Sequence, residues 1–395
     1  MNKTRNLGGM TFIDLRDRYG ITQITCDPSK MDFELPEIKS EYVLRVHGKV
    51  VARPESMINK EMVTGEVELE PTKIEVLARC KELPFSVDHE NAVGEDMRLE
   101  YRYLDLRRKT MKDNTIMRHK LYMETMKFFD EKGFLHLETP TFIKNTPEGS
   151  REFVVPARFE PGKFFVLPQS PQQHKQMLMV AGFDKYYQMA RCYRDEDPRG
   201  DRQPEFTQVD FELSFVEQQD ILELMEEYCK LLAKKYYPNR PIKADPFPVL
   251  TWKEAMDTYG IDKPELRVEN VKLLELTDWA RKSEFSLFQN SACIKGMVVP
   301  KEMGRSELEK KYESFIKNKG SKALPWLCFT KSEGIKGSIA KFFSESALEE
   351  LKTLTGIQEG ETIFFQADTW LNACNYMGML RNEVIKELEL TKGKE

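Results

Sequence analysis

The feature that most constrains the fold is the stretch from Lys185 to Phe215, which reads as strand, loop and strand. In the second strand, alternation puts Thr207, Val209, Phe211, Leu213 and Phe215 on one face and Phe206, Gln208, Asp210, Glu212 and Ser214 on the other. The first set is largely apolar and belongs on a core. The second carries an amide, two carboxylates and an aromatic ring, the chemistry of a binding floor. The same period in the first strand groups Gln188, Ala190, Cys192 and Arg194. Between the strands runs Asp195-Glu-Asp-Pro-Arg-Gly-Asp-Arg-Gln-Pro-Glu205, eleven residues dense in both charges. Composition alone makes such a loop a solvated, salt-bridged tip. Two residues point the other way. Arg194 ends a strand, where the scaffold holds it, and a guanidinium grips phosphate bidentately. Phe206 stands at the opposite base, placed to offer a flat apolar face to a planar ring.

The rest of the chain frames this hairpin. With 395 residues it has length for two or three domains, and 32% charged against 40% hydrophobic residues is an ordinary globular balance. A net charge of -5 leaves no global basic field, so any nucleic-acid contact is local. No run approaches the roughly 20 apolar residues that span a bilayer, and Met-Asn-Lys-Thr-Arg-Asn lacks the apolar core of a secretory signal. The seven cysteines are scattered without a Cys-x-x-Cys pair, so no metal site is expected and reduced thiols in a cytoplasmic protein are.

Residues 1–85 show four β-like runs, Met10 to Leu15, Ile21 to Cys26, Tyr42 to Val51 and Glu66 to Ala78, separated by turn material. A small Greek-key barrel of the OB type fits that pattern. Residues 86–110 form a charged hinge containing Tyr101-Arg-Tyr-Leu-Asp-Leu-Arg-Arg108. Met117, Leu121, Thr125 and Phe128 or Phe129 then recur at helical spacing up to a stop at Gly133, and Phe134 to Thr139 alternates as a strand before Pro140. Beyond residue 250, Thr251 to Thr258 and Arg305 to Lys319 read as helices, Ile294 to Val299 and Thr362 to Gln366 as strands, and Met379 to Lys392 as a charged terminal helix or tail.

Several of these segments resemble a known family. Arg194-Asp-Glu-Asp with Arg202-Gln-Pro-Glu-Phe-Thr-Gln-Val-Asp is similar to motif 2 of class II aminoacyl-tRNA synthetases in its aspartyl form. Gly133-Phe-Leu-His-Leu-Glu-Thr-Pro140 resembles motif 1, which builds the dimer interface, and Tyr101–Arg108 resembles the segment before it in the aspartate, asparagine and lysine subgroup. Thr146-Pro-Glu-Gly149 and Leu167-Pro-Gln-Ser-Pro-Gln172, followed by Lys175, narrow the resemblance to the aspartate enzymes. Arg5-Asn-Leu-Gly-Gly and Phe12-Ile-Asp-Leu-Arg-Asp resemble their anticodon-binding OB-fold. Tyr259-Gly-Ile-Asp-Lys-Pro-Glu-Leu-Arg267 and Gly378-Met-Leu-Arg381 resemble bacterial members with an inserted domain.

The resemblance implies an α+β chain: an OB-fold barrel at 1–85, the hinge at 86–110, a class II antiparallel-sheet catalytic domain at 111–268 and a GAD-type inserted α+β domain at 269–395. It implies activation of L-aspartate with ATP and Mg²⁺, transfer to tRNA-Asp, and a homodimer formed through motif 1. Charging of tRNA-Asn stays open, with Leu7 leaning toward strict use of tRNA-Asp. Catalysis in this family is positioning and charge stabilisation. Arg194 and Glu196 carry the catalytic roles, and both bind ATP with Gln203 and Phe206. Aspartate falls to Glu148, Ser170, Gln172, Lys175, Arg194, Gln208 and Asp210. His174 is expected to be structural, and Asp197 and Asp201 to form loop salt bridges. Arg5, Phe12 and Gln23 match anticodon-reading positions, by stacking and by hydrogen bonds to splayed bases.

The chain also departs from the family. Motif 3, the His-His-Pro-Phe stretch and the barrel strand that normally precedes Arg5 are not in these 395 residues. Little or no aminoacylation by the chain alone is therefore expected. Three readings follow: an aspartate–tRNA ligase or part of one, a non-catalytic tRNA-binding paralogue, or a related asparaginyl or lysyl ligase.

Overall fold

A computed structural model describes residues 3–88, 93–146, 148–198, 200 and 202–394. The chain divides into two units, Met1–Phe215 and Val216–Glu395.

In the first unit, β1 (Lys3–Leu7), β2 (Met10–Arg16), β3 (Ile21–Cys26), β4 (Val43–Ala52) and β5 (Val67–Ala78) form one sheet in the order β1-β2-β3-β5-β4. Neighbours are antiparallel except β3 and β5, which meet in parallel at Ile24 and Leu69. Alternation sorts the two faces. Ile13 and Ile24 are cross-strand partners and sit wholly inside a core with Cys26, Tyr42, Leu44 and Ile74. The pattern of apolar runs gives four strands; the structure adds β1. Its sequence, Lys-Thr-Arg-Asn-Leu, is too polar to signal a strand, and pairing with β2 makes it one. Gly8 and Gly9 supply the turn between them, both at positive φ (58° and 81°), as a two-residue hairpin loop requires.

After two short hinge helices, α1 (Glu95–Glu100) and α2 (Arg102–Asp105), comes the long α3 (Lys109–Glu131). It buries Thr125, Phe128 and Phe129 and ends just before Gly133, whose φ of 77° suits glycine. Then follow β6 (Leu135–His136), β7 (Val154–Pro156), β8 (Phe164–Val166), α4 (Gln172–Val180), β9 (Lys185–Tyr193) and β10 (Glu205–Leu213). Only two residues of the expected Phe134–Thr139 strand pair, in parallel with β9, giving the sheet order β10-β9-β6. Thr139 instead turns its backbone N–H to Gln188 Oε1, and Pro140 has no N–H to continue a ladder.

Phe129 stacks on Tyr187 at 5.1 Å and meets Phe134 and Phe211, so aromatic rings fill the space under the hairpin. Phe215 departs from the expected core face. The ladder ends at the Leu213–Lys185 pair, and Phe215 lies beyond it, 98% exposed at φ 57°.

In the second unit, α5 (Gln218–Tyr236) and α6 (Trp252–Tyr259) each begin with a capping box, from Glu217 with Asp220 and from Thr251 with Glu254. Strands β11 (Leu273–Glu275), β12 (Cys293–Val299), β13 (Trp326–Thr330), β14 (Gly334–Gly337) and β15 (Glu361–Asp368) form an antiparallel sheet in the order β11-β12-β15-β13-β14. Both faces are covered. Met297, Val299, Trp326, Cys328 and Phe364 join one core, and Ile294, Leu327, Phe329, Ile363 and Phe365 the other. The helices α7 (Glu345–Thr355) and α8 (Trp370–Glu387) supply further core residues.

Met379–Lys392, expected as a charged terminal helix or tail, takes the helix form. Its first part is the end of α8, with Leu380, Arg381, Val384 and Ile385 buried. The Arg305–Lys319 helix contains a π-helical turn at Leu308–Glu313. Arg381 is wholly enclosed and donates to the carbonyls of Val271, Glu265 and Val268 at 2.6, 2.8 and 3.0 Å. That is how a guanidinium survives in a core.

Candidate active site

The register of β9 and β10 builds the floor. Asp210 faces Gln188, Gln208 faces Ala190, and Phe206 faces Cys192, so the polar residues of both strands share one side. Across this floor lies α4, carrying Lys175. Its Nζ donates to Asp210 Oδ1 at 2.9 Å and to the Phe211 carbonyl at 3.4 Å, with Glu212 Oε2 at 3.2 Å. Lys175 and Asp210 are each only 8% exposed. Burial pushes the Asp210 carboxyl above its ordinary range, although the Lys175 ammonium pulls the other way. The outcome is a charged pair with an open side: Asp210 Oδ2 is buried without a hydrogen bond.

A second carboxylate faces the same space. Gln169, 1% exposed, clamps the backbone of Ser150 by accepting from its N–H and donating to its carbonyl, both at 3.0 Å. This staple fixes the segment carrying Glu148, whose Oε2 accepts from Ser170 Oγ at 2.7 Å while Oε1 stays buried and unpaired. Gln172 opens α4 with its backbone N–H on Ser170 Oγ at 3.3 Å. Gln188 is held by three donors: the Thr139 N–H and hydroxyl (3.2 and 3.0 Å) and Tyr186 OH (2.9 Å). Burial raises the Tyr186 phenol, so it stays protonated and donates at neutral pH.

Cys192 marks the middle. Arg194, Glu148, Lys175 and Asp210 all act electrostatically on its thiol, and burial pushes that thiol up to about 11. It is a floor atom, inert at neutral pH. Its Sγ donates to Gln208 Oε1 at 3.2 Å.

Toward the hairpin tip the chemistry changes from carboxylates to a guanidinium. Arg194 lies over the Phe206 ring at 5.2 Å, its backbone N–H donates to the Pro204 carbonyl at 2.8 Å, and its buried Nε has no partner. Ser150 donates its hydroxyl to Glu196, and Asp195 bridges back to Arg151. The structure thus gathers Glu148, Ser170, Gln172, Lys175, Gln208, Asp210, Arg194, Glu196 and Phe206 around one hairpin. Gln203 sits exposed on the loop and Asp197 is exposed nearby; Asp201 and Pro147 fall outside the described residues.

The barrel carries a separate constellation. Arg5 pairs across strands with Phe12, and its Nη2 donates to Asp14 Oδ1 at 2.9 Å and Gln23 Oε1 at 3.2 Å. Gln23 in turn donates to Glu68 at 3.1 Å. Arg5, Phe12 and Gln23 line one cleft of about 810 Å³ that also holds Lys30, Lys49 and Arg53.

Residues 94–333 match the family of class II tRNA synthetases (D, K and N), and residues 1–77 match an OB-fold nucleic acid binding domain. The aspartate–tRNA ligase of Macrococcus caseolyticus is 44% identical over 401 residues, covering 99% of this chain and 67% of that protein. This chain belongs to the aspartate–tRNA ligases, class II aminoacyl-tRNA synthetases. The aspartate–tRNA(Asp/Asn) ligase of Treponema denticola is 43% identical, covering all of this chain and 68% of its own length. The chain therefore spans about two thirds of these ligases. In fold it is similar to the Entamoeba histolytica asparaginyl-tRNA synthetase solved with asparaginyl-adenylate, at a TM-score of 0.52 and 15% identity over 95% of this chain and 89% of that one.

Within this ligase, sequence reasoning passed over several residues that shape the site. Alternation already puts Glu212 on the floor beside Asp210, but does not show its role as a second partner of Lys175, at 3.2 Å. Gln169 and Thr139 stand inside the Leu167–Gln172 and Gly133–Pro140 segments, yet neither is singled out there, and Ser150 is a lone polar residue in a loop.

Proposed function

We propose that the hairpin floor binds L-aspartate and that the Arg194 end binds ATP, so that this chain carries the substrate-binding half of aspartyl-adenylate formation. The observation that carries this reading is the buried Lys175–Asp210 pair with its open valence. Free aspartate brings one ammonium and two carboxylates. Lys175 offers a cation to the side-chain carboxylate. Asp210 and Glu148 have unpaired oxygens ready for the ammonium, and Ser170, Gln172 and Gln208 add polar edges. A site of matched charges recognises such a zwitterion because substrate groups replace internal partners, leaving few charges uncompensated.

Arg194 has a spare donor for the α-phosphate, where negative charge grows as the carboxylate attacks. Phe206 offers a face to adenine, and Glu196 and Gln203 lie on the loop that would close over the nucleotide. Among the described residues no group of three or more His, Cys, Asp or Glu side chains could hold a metal. Mg²⁺ would then arrive with ATP, held chiefly by phosphate oxygens, and neutralise them.

Arg5, Phe12 and Gln23 suit an RNA loop read by stacking and hydrogen bonds, with tRNA-Asp as substrate and tRNA-Asn open. The same reading places α3 and β6 in a homodimer interface and the protein in the cytoplasm. Titration of the purified chain with L-aspartate, L-asparagine and L-lysine tests the amino-acid assignment. Saturable binding of aspartate alone is expected. Preference for asparagine or lysine would assign the site to a sister ligase, and binding of none would remove the reading.

A further inference from the structure

The joint between barrel and hinge is built around Glu41. This residue precedes β4 in the left-handed region, at φ 63°, which a glutamate adopts only when its surroundings hold it there. Its side chain is 2% exposed, and two arginines from different segments reach it. Arg16, at the end of β2, donates to Oε1 at 2.5 Å, and Arg107, in the hinge between α2 and α3, pairs with Oε2. Arg16 also pairs with Asp88 of the hinge. Two guanidinium groups and two carboxylates thus close a neutral clasp. Nearby, Lys112 of α3 donates to the Arg18 carbonyl at 3.0 Å.

Packing contributes little to the same joint. The hinge has its own small core of Phe85, Val87 and Leu104, and a cleft of about 530 Å³ runs beside Glu41. Orientation therefore rests on directional charge contacts more than on filled volume.

We propose that Glu41 is a positioning residue that sets the angle of the barrel against the hinge and so couples anticodon binding to delivery of the tRNA 3′ end. The inference rests on the tRNA reading above. A tRNA held at both ends gains affinity through the effective concentration of its second site, and that gain is lost when the two sites are not held in register. The side-chain partners of Glu41 are Arg16 and Arg107 and not Arg5, Phe12 or Gln23, so its loss acts on RNA binding through geometry.

The test uses E41Q and R107M in the full chain, titrated with whole tRNA-Asp and with its isolated anticodon stem-loop. Wild type is expected to bind both, whole tRNA more tightly. Each variant should keep stem-loop affinity within about twofold and lose about tenfold for whole tRNA, the scale that loosened linkage produces. Small-angle scattering without RNA should show a broader distribution of particle dimensions in both variants. An equal loss on stem-loop and whole tRNA would make Glu41 a structural residue of the barrel and overturn the proposal. Unchanged whole-tRNA binding would overturn it as well. Failure of wild type to bind the stem-loop would instead remove the anticodon reading, and this inference with it.

Discussion

Two buried lysines, one in each unit and each paired with an aspartate, look alike in composition and differ in saturation. In the second unit Lys295, 2% exposed on β12, donates to Asp257 Oδ1 at 2.8 Å and faces Glu275 at 3.2 Å. Asp257 also receives the Trp370 indole N–H at 2.7 Å and pairs with Lys253. Those donors outweigh desolvation and hold its carboxyl below the ordinary aspartate range. In the first unit Asp210 takes Lys175 on Oδ1, with the Tyr186 hydroxyl acting on the same carboxyl, while Oδ2 carries no hydrogen bond, and desolvation holds the group above that range. A saturated pair is architecture. An unsaturated pair at the floor of an open hairpin is a place for a substrate.

The strongest way to break this comparison is Lys295→Met. It removes the buried cation from two partly exposed carboxylates, of which Asp257 keeps Lys253 and the Trp370 indole, and should cost about 1.5–3 kcal/mol of stability, the range for a hydrogen bond to a charged group. Denaturant unfolding would register it as a lowered midpoint with an unchanged slope, and aspartate binding should stay intact. A loss below about 1 kcal/mol would mean the pair is not structural.

Lys175→Met is the mirror experiment. Aspartate affinity should fall at least about 100-fold, roughly 2.7 kcal/mol. Calorimetry measures this, and retained affinity would strike Lys175 from the site.

Acid sharpens the contrast. A depressed carboxyl contributes stability that is present above its unfolded value and lost as pH falls through the folded one; a raised carboxyl does the reverse. Arg267 holds Glu265 down at about 2, and Asp257 is likewise depressed. Stability of the second unit should therefore erode below about pH 4, where unfolded carboxylates begin to bind protons. Asp210 opposes this trend, because its elevated carboxyl favours the folded state as protons bind. A pH series of thermal melts on Asp257→Asn and Asp210→Asn should flatten the acid loss in the first variant and steepen it in the second.

The smallest effect expected is the stability change of Asp210→Asn at neutral pH. Glu212 still faces Lys175, so the change should stay within about 1 kcal/mol. A larger loss by denaturant titration would make Asp210 as structural as Asp257.

How far these two regions were legible in the sequence differs for the same physical reasons. The hairpin was legible because alternation has a period of two and its polar face breaks an otherwise apolar pattern; the register then seated Gln188 against Asp210. Lys175 was legible only through its neighbours Leu167–Gln172, since a lone lysine on a helix carries no signal of burial. The second unit was harder to read. Trp326–Thr330 is buried on both faces, so it lacks alternation. The end of α8 is rich in charge, yet Arg381 is swallowed by carbonyls from the loop before β11, a long-range contact that local periodicity cannot encode. Phe215 failed for a simpler reason: strand length is set by the partner, and β9 had no residue left to pair with it. Glu41 gave no signal at all, because its role comes from two arginines separated from it by 25 and 66 positions.

The central claim is that the open valence on Asp210 marks the substrate site and the closed one on Asp257 does not. Calorimetric titration of a non-hydrolysable aspartyl-adenylate analogue into wild type, Lys175→Met and Lys295→Met, each below its melting temperature, tests this most directly. The account predicts binding to wild type and Lys295→Met within about twofold of each other, and at least about 100-fold weaker binding to Lys175→Met. Equal losses in the two variants, or binding that survives in Lys175→Met, would contradict it.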